Sequence, residues 1–156
     1  MASHSAGVLL YRATPHGPEV LLGHMGGPFW ARKDEGAWSI PKGEQQPGED
    51  LRAVAAREFR EELGLPLPDG PLVELGSVRT SAGKRITAFA LAADLDPTRI
   101  APGTFTMEWP PRSGHMRQFP EIDRAEWYDL DTARRKIVTS QRPFLDRLVE
   151  VLNASG

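Results

Sequence analysis

The stretch GEQQPGEDLRAVAAREFREELGL, residues 43–65, restricts the fold more than any other part of the chain. Its second half has helical periodicity. Gly64 stands where a left-handed C-terminal cap belongs, and Pro66 forbids continuation, so a helix is expected from Gly48 to Leu63. On a wheel advancing about 100° per residue from Leu51, the positions Ala55, Phe59, Leu63 and Ala56 fall between about 40° and 140°. Glu62 falls near about 20°, Glu58 near about 340° and Glu61 near about 280°. Three carboxylates therefore crowd one edge of the apolar face. Like charges at i,i+3 and i,i+4 cost a few tenths of a kcal/mol each, and carboxylates beside a buried edge also lose hydration. One account is a solvated acidic face with Arg57 paired to Glu61. The other is a preformed site for a divalent cation. Mg²⁺ takes oxygen ligands, keeps several waters and commonly receives substrate phosphates as well. The chemistry this suggests is metal-assisted attack of water on phosphorus.

The rest of the chain has the pattern of a mixed sheet with a few helices packed on it, an α+β fold in layers. Strands are expected at residues 7–12, 19–24, 37–40, 72–79, 85–94, 104–109 and 125–128, the first two forming a hairpin. Residues 25–36 and 110–120 read as loops. Asp129 or Asp131 is expected to cap a helix running to Ile137, and Ser140 a final helix that tolerates Pro143 in its first turn. In that last helix Phe144, Leu145, Leu148, Val151 and Leu152 form a core-facing stripe.

With 156 residues the chain is expected to be a single domain, residues 1–156. Nineteen basic and 21 acidic residues give a formal charge of −2, which supplies no general attraction to nucleic acid or to an anionic membrane. Cysteine is absent, which removes disulfides, thiolate metal sites and thiol nucleophiles. No apolar run approaches a membrane span, and MASHSAGVLLYR lacks the basic-then-apolar order of a secretion signal. The expected location is the cytoplasm. Four scattered histidines show no metal-ligand spacing and read as incidental.

The 43–65 stretch resembles the Nudix box. The matching positions are Gly43, Glu49, Arg57, Glu58, Phe59, Glu61, Glu62, Gly64 and Leu65. The resemblance implies an α/β/α sandwich with a mixed sheet, in which the box forms a loop–helix–loop. It implies a Mg²⁺- or Mn²⁺-dependent hydrolase of nucleoside diphosphates linked to another group. Carried over residue by residue, Glu58, Glu61 and Glu62 are metal ligands, joined by the carbonyl of Lys42. Arg57 and Glu49 brace the loop, and Gly43 and Gly64 hold backbone conformation. A distal acid is expected from EIDRAEW, residues 121–127, with Glu121 first and Glu126 and Asp123 behind it. Glu58 and Glu121 lead as the base, with Glu61 also a catalytic candidate. Trp127 reads as core.

WSIPKGE, residues 38–44, resembles the approach to the box in dinucleoside polyphosphate hydrolases and diphosphoinositol phosphate hydrolases of this family. A dinucleoside polyphosphate is thus the preferred substrate and a nucleoside triphosphate the second. Removal of an RNA 5′ end group finds little support in the charge balance, and a non-catalytic nucleotide-sensing module is disfavoured by a complete set of box acids. Lys42 either contacts a phosphate or is a turn lysine on the surface. Trp30, Arg32 and Lys33 combine an aromatic ring with cations suited to a base and its phosphates. Arg85, with Arg79 and Lys84, flanks a turn within reach of anions. Phe105 and Trp109 are placed to shape specificity.

Overall fold

The computed structural model describes residues 3–155; Met1 and Ala2, the start of the stretch read for a secretion signal, lie outside the described residues, as does Gly156. Strands β1 (His4–Thr14), β2 (Gly17–Met25), β3 (Trp38–Ser39) and β4 (Lys42–Glu44) precede helix α1 (Leu51–Leu63). Then come β5 (Val73–Arg79), β6 (Arg85–Ala92), β7 (Thr104–Glu108), β8 (Met116–Pro120) and β9 (Ile122–Asp129). Helices α2 (Leu130–Lys136) and α3 (Arg142–Ser155) close the order, separated by a 3₁₀ turn at Thr139–Gln141.

The main sheet runs β3-β2-β1-β6-β5, with β4 also paired to β1 and β9 to β2. The β1–β6 pair is parallel and the others are antiparallel, so the sheet is mixed. Alternation along β1, β2 and β6 divides their apolar side chains between two faces. Ala6, Val8, Leu10, Leu21, Phe89 and Leu91 meet Val54, Ala55, Phe59 and Leu63 of α1. Leu9, Val20, Leu22, Ala88 and Ala90 meet Ala133, Phe144, Leu145 and Leu148 of α2 and α3. Both faces are covered, which is why these strands read as unbroken apolar runs. The expected α/β/α sandwich is what the chain forms.

Several boundaries differ from expectation. Helix α1 starts at Leu51, because the Asp50 side chain accepts a hydrogen bond from the Ala53 N–H at 3.2 Å while Gly48 turns the loop at φ 80°. Residues 116–120, expected as loop, are β8, which among the described residues pairs only with β7 in a separate two-stranded hairpin. β4 was not expected; three residues suffice because β1 supplies its partner. Asp129 caps α2 as expected. Ser140 does not begin the last helix but sits inside the 3₁₀ turn before it.

Gly64 ends α1 in the left-handed region at φ 68°, with its N–H donating to the Arg60 carbonyl. A Cβ there would lie 2.1 Å from the Ala101 carbonyl oxygen, and Ala101 N–H itself donates to Leu63. Gly64→Ala meets both unfavourable φ and a backbone clash, and is expected to cost about 2–4 kcal/mol. Urea denaturation measures this; a loss below about 0.5 kcal/mol, the ordinary surface value, would contradict it.

Candidate functional site

Helix α1 places Glu58, Glu61 and Glu62 on one wall of a cavity of about 750 Å³. Lys42 and Gly43 of β4 form an adjoining wall, and Glu121, between β8 and β9, lines the same cavity. Val54, at about 300° on the helical wheel, is fully buried together with Ala55, Phe59 and Leu63. The buried sector of α1 is therefore wider than its sequence implied. Glu58 and Glu62 lie within it rather than at its edge, while Glu61 stays exposed.

Burial raises the proton affinity of Glu62 and Glu58. Glu62 is pushed up to about 8, first by loss of hydration, then by repulsion from Glu58 and Glu121, against the opposing pull of Lys42. Its Oε2 accepts one hydrogen bond from the Lys42 N–H at 3.3 Å. Glu58 is also raised, by desolvation first and by the Glu61 carboxylate next.

Arg57 links these parts. Its guanidinium donates to Glu49 Oε1 and to Glu58 Oε1, both at 2.9 Å, and approaches Glu61 at 3.6 Å. Glu49 in turn accepts the Gln46 N–H at 2.7 Å, so the loop before α1 is tied to the acidic helix. Gly43 leaves the space that Glu58 occupies, since a Cβ at Gly43 would lie 2.0 Å from the Glu58 Cδ.

Glu121 is held by its backbone. Glu61 carbonyl accepts from Gly103 N–H, Gly103 carbonyl from Glu121 N–H, and Glu121 carbonyl from Gly26 N–H, at 3.1, 2.8 and 3.0 Å. This relay fixes the distal acid to the helix and to the loop after β2. The alternative acids are engaged elsewhere. Asp123 lies 2.9 Å from His24 Nδ1, and Glu126 accepts a hydrogen bond from the Tyr128 hydroxyl.

A second cavity of about 320 Å³ adjoins the first, sharing Met25, Ser39, Lys42, Glu62 and Glu121 with it. Trp30 and Phe105 line this one. Arg32, Lys33 and Arg85 line neither cavity. The Lys33 ammonium sits 5.2 Å from the centre of the Trp30 ring, and Arg85 turns toward Ser77 at 3.4 Å. Lys84, the neighbour of Arg85, does face the larger cavity. Trp127 is half-buried against the α1-side core, donates to the Leu95 carbonyl and carries Arg12 over its ring, away from the acids.

His24 is not incidental. It is fully buried in β2 beside a bulge, with Nε2 2.7 Å from the Lys33 carbonyl and Nδ1 on Asp123. It thus ties the Trp30 loop to the segment after Glu121. Nothing local in the sequence marks this, because the three segments meet only through the sheet.

The donor set suits a hard divalent cation: five carboxylates, Glu44, Glu58, Glu61, Glu62 and Glu121, line the cavity, with no cysteine or histidine among the described lining residues. Among the described residues, no three acidic or histidine side chains are already gathered around a common point. The acids share a wall, and Gly43 gives the Glu58 carboxylate its place there.

The NUDIX domain model matches residues 2–148. The Octanoyltransferase of Myxococcus xanthus is 33% identical over 102 residues, 65% of this chain and 25% of that protein. The chain thus spans about a quarter of that curated relative. An Ap4A hydrolase of C. elegans, solved as a binary complex, matches with a TM-score of 0.68 and 20% identity, over 96% of this chain and 98% of that one. The NUDIX domain of Shewanella oneidensis NrtR, complexed with ADP ribose, matches with a TM-score of 0.65 and 14% identity, over 97% and 89%. At such identities the structural likeness establishes the fold alone. The family match runs through the acidic helix, the loop that Arg57 braces and the segment bearing Glu121, and the chain therefore belongs to the Nudix family of hydrolases of phosphorus-containing acid anhydrides, enzymes that generally use divalent metals.

Proposed function

We propose that this protein is a Mg²⁺- or Mn²⁺-dependent pyrophosphohydrolase that cleaves a phosphoanhydride bond in a nucleoside diphosphate derivative. The observation that carries this reading is the convergence of Glu58, Glu61, Glu62 and Glu121 on one cavity beside Lys42, next to a smaller cavity lined by Trp30 and Phe105. The first group handles phosphate chemistry, and the second offers aromatic rings to a nucleobase.

Glu58, Glu61, Glu62 and Glu121 would hold the cation, with the Lys42 carbonyl as a further ligand. When bound, the cation lowers the pKa of a coordinated water and neutralises phosphate charge. Glu58 or Glu121 then takes the water's proton. Lys42 places its ammonium against the phosphate chain at the junction of the two cavities. Arg57, Glu49 and Gly43 keep Glu58 in position. Action as one domain, in the cytoplasm, is part of this reading. The dinucleoside polyphosphate suggested by WSIPKGE is one member of the substrate class, and a nucleoside triphosphate is another.

The test is incubation of purified protein with Mg²⁺ or Mn²⁺ and a panel of dinucleoside polyphosphates, nucleoside triphosphates and nucleoside diphosphate sugars, with products identified by chromatography. Cleavage at an anhydride is expected, abolished by chelation and restored by added metal. Cleavage unaffected by chelator, or none with any member of the panel, would overturn it.

A further inference from the structure

His24 has no exposed surface, yet each ring nitrogen has a partner, and the partners come from different segments. Nε2 lies 2.7 Å from the Lys33 carbonyl and Nδ1 lies 2.9 Å from Asp123 Oδ1. A carbonyl oxygen only accepts, so Nε2 carries a proton, and Nδ1 shares another with the Asp123 carboxylate. An edge contact with Trp38, 5.1 Å between ring centres and 75° between planes, holds the ring between these two partners.

Each bond bears on a different end of the candidate site. On the Nδ1 side the β2–β9 ladder breaks step. His24 pairs with Arg124 but Met25 pairs with Ile122, so Asp123 is the extra residue of a β-bulge. A bulge sets the phase of what lies beyond it. Without it, Ile122 and Glu121 would move one position along the strand, about 3.3 Å, and exchange faces. The observed phase packs Ile122 on Gly23, where a Cβ would lie 2.6 Å from Ile122 Cδ1, and leaves Glu121 in the wall of the larger cavity. The bond to His24 thus ties down the residue that the β2–β9 register skips. On the Nε2 side, the Lys33 N–H donates to the Trp30 carbonyl at 2.9 Å while His24 holds the Lys33 carbonyl. Trp30 lines the smaller cavity. Asp34, the next residue, accepts from Trp38 Nε1 at 3.0 Å and pairs with Lys136, so the end of the loop keeps an anchor of its own.

We propose that His24 is a positioning residue for both ends of the site. Through Nδ1 and the Asp123 bulge it sets the place of Glu121, and through Nε2 and Lys33 it sets the place of Trp30. It lines neither cavity and so acts only through these neighbours. This rests on the hydrolase reading above and names a residue that builds that site.

The two arms can be cut separately. An asparagine at position 24 places its amide near Nδ1, and a glutamine places it near Nε2. Mn²⁺ binding, followed by electron paramagnetic resonance, reads the acids. AMP binding in chelator, followed by NMR titration, reads the nucleoside end. His24→Asn is expected to weaken AMP about fivefold, the value of one net hydrogen bond, and to leave Mn²⁺ affinity within about twofold of native. His24→Gln is expected to weaken Mn²⁺ about tenfold and to leave AMP within about twofold. In turnover of any anhydride that is cleaved, His24→Asn should raise KM and His24→Gln should lower kcat. Where circular dichroism shows that neither variant folds, the part-exposed Asp123 carries the test. Asp123→Ala should weaken Mn²⁺ about tenfold and spare AMP, and Asp123→Asn, which keeps a polar partner for Nδ1, should restore most of it. Equal loss of both ligands in each His24 variant, or loss of neither, would overturn the proposal, as would native Mn²⁺ affinity in Asp123→Ala. A crossed pattern without cleavage of any anhydride counts against the hydrolase reading alone. Cleavage with an uncrossed pattern counts against the role of His24 alone.

Discussion

Glu62→Gln and Glu58→Gln are each expected to lower kcat about 10²–10⁴-fold, the range associated with a metal ligand or general base at a hydrolytic centre. The two variants should part company in stability. At neutral pH without metal, the Glu62 carboxyl is protonated for the larger part, since burial pushes it up to about 8. A glutamine amide is close in shape to that neutral carboxyl. Glu62→Gln should therefore leave the metal-free melting temperature unchanged or raise it while removing activity. Glu58→Gln loses the charged partner of Arg57 at 2.9 Å and should be slightly less stable, by about 1 kcal/mol for a partly buried pair. Initial rates at saturating Mg²⁺ and thermal melts in chelator measure both. Activity within about threefold of native in either variant would remove that residue from the proposed centre.

The box helix was legible in detail, and the reason is local. Leu51, Ala55, Phe59 and Leu63 repeat at helical spacing, Gly64 can adopt a left-handed φ, and Pro66 stops the chain. What the wheel understated was Val54, an apolar residue on the far side of the acids, whose burial draws Glu58 and Glu62 into the covered face. Glu121 was legible only through resemblance, because its place depends on backbone bonds to Gly103 and Gly26, remote in sequence. The exchange of Arg85 for Lys84 has a related origin. Either residue beside a turn can face a cavity, and the choice is made by the pairing of Arg85 with Arg79 and His4 across β6. β8 escaped notice because three of its five residues are exposed without alternation, so period two leaves no trace. Trp30 lines the cavity that adjoins the acids, whereas Arg32 and Lys33 project from the same loop to solvent.

In chelator, the native protein should become less stable as pH rises from about 4.5 to about 8, contrary to the usual behaviour of paired carboxylates. Glu62 rises from 4.5 to about 8 on folding, with desolvation the largest cause. Between those values the folded state holds a proton that the unfolded state has released, so increasing pH favours unfolding. Below about 4.5 the contribution is fully present, and above about 8 it is gone. The interval corresponds to at most about 5 kcal/mol, and Glu58, raised for the same reason, acts in the same direction. For a chain of this size that is a fall in melting temperature of at most roughly 10–20 °C. Mg²⁺ should reverse the slope, because it binds the deprotonated acids and stabilises the fold most where they are charged. Thermal melts from pH 5 to pH 8.5, with chelator and with millimolar Mg²⁺, give both curves. Glu62→Gln should flatten the chelator curve. A chelator curve that is flat or rises with pH, or that keeps its native slope in Glu62→Gln, would show that Glu62 is hydrated and charged in the fold, and the desolvated Glu62 carboxyl would lose its basis.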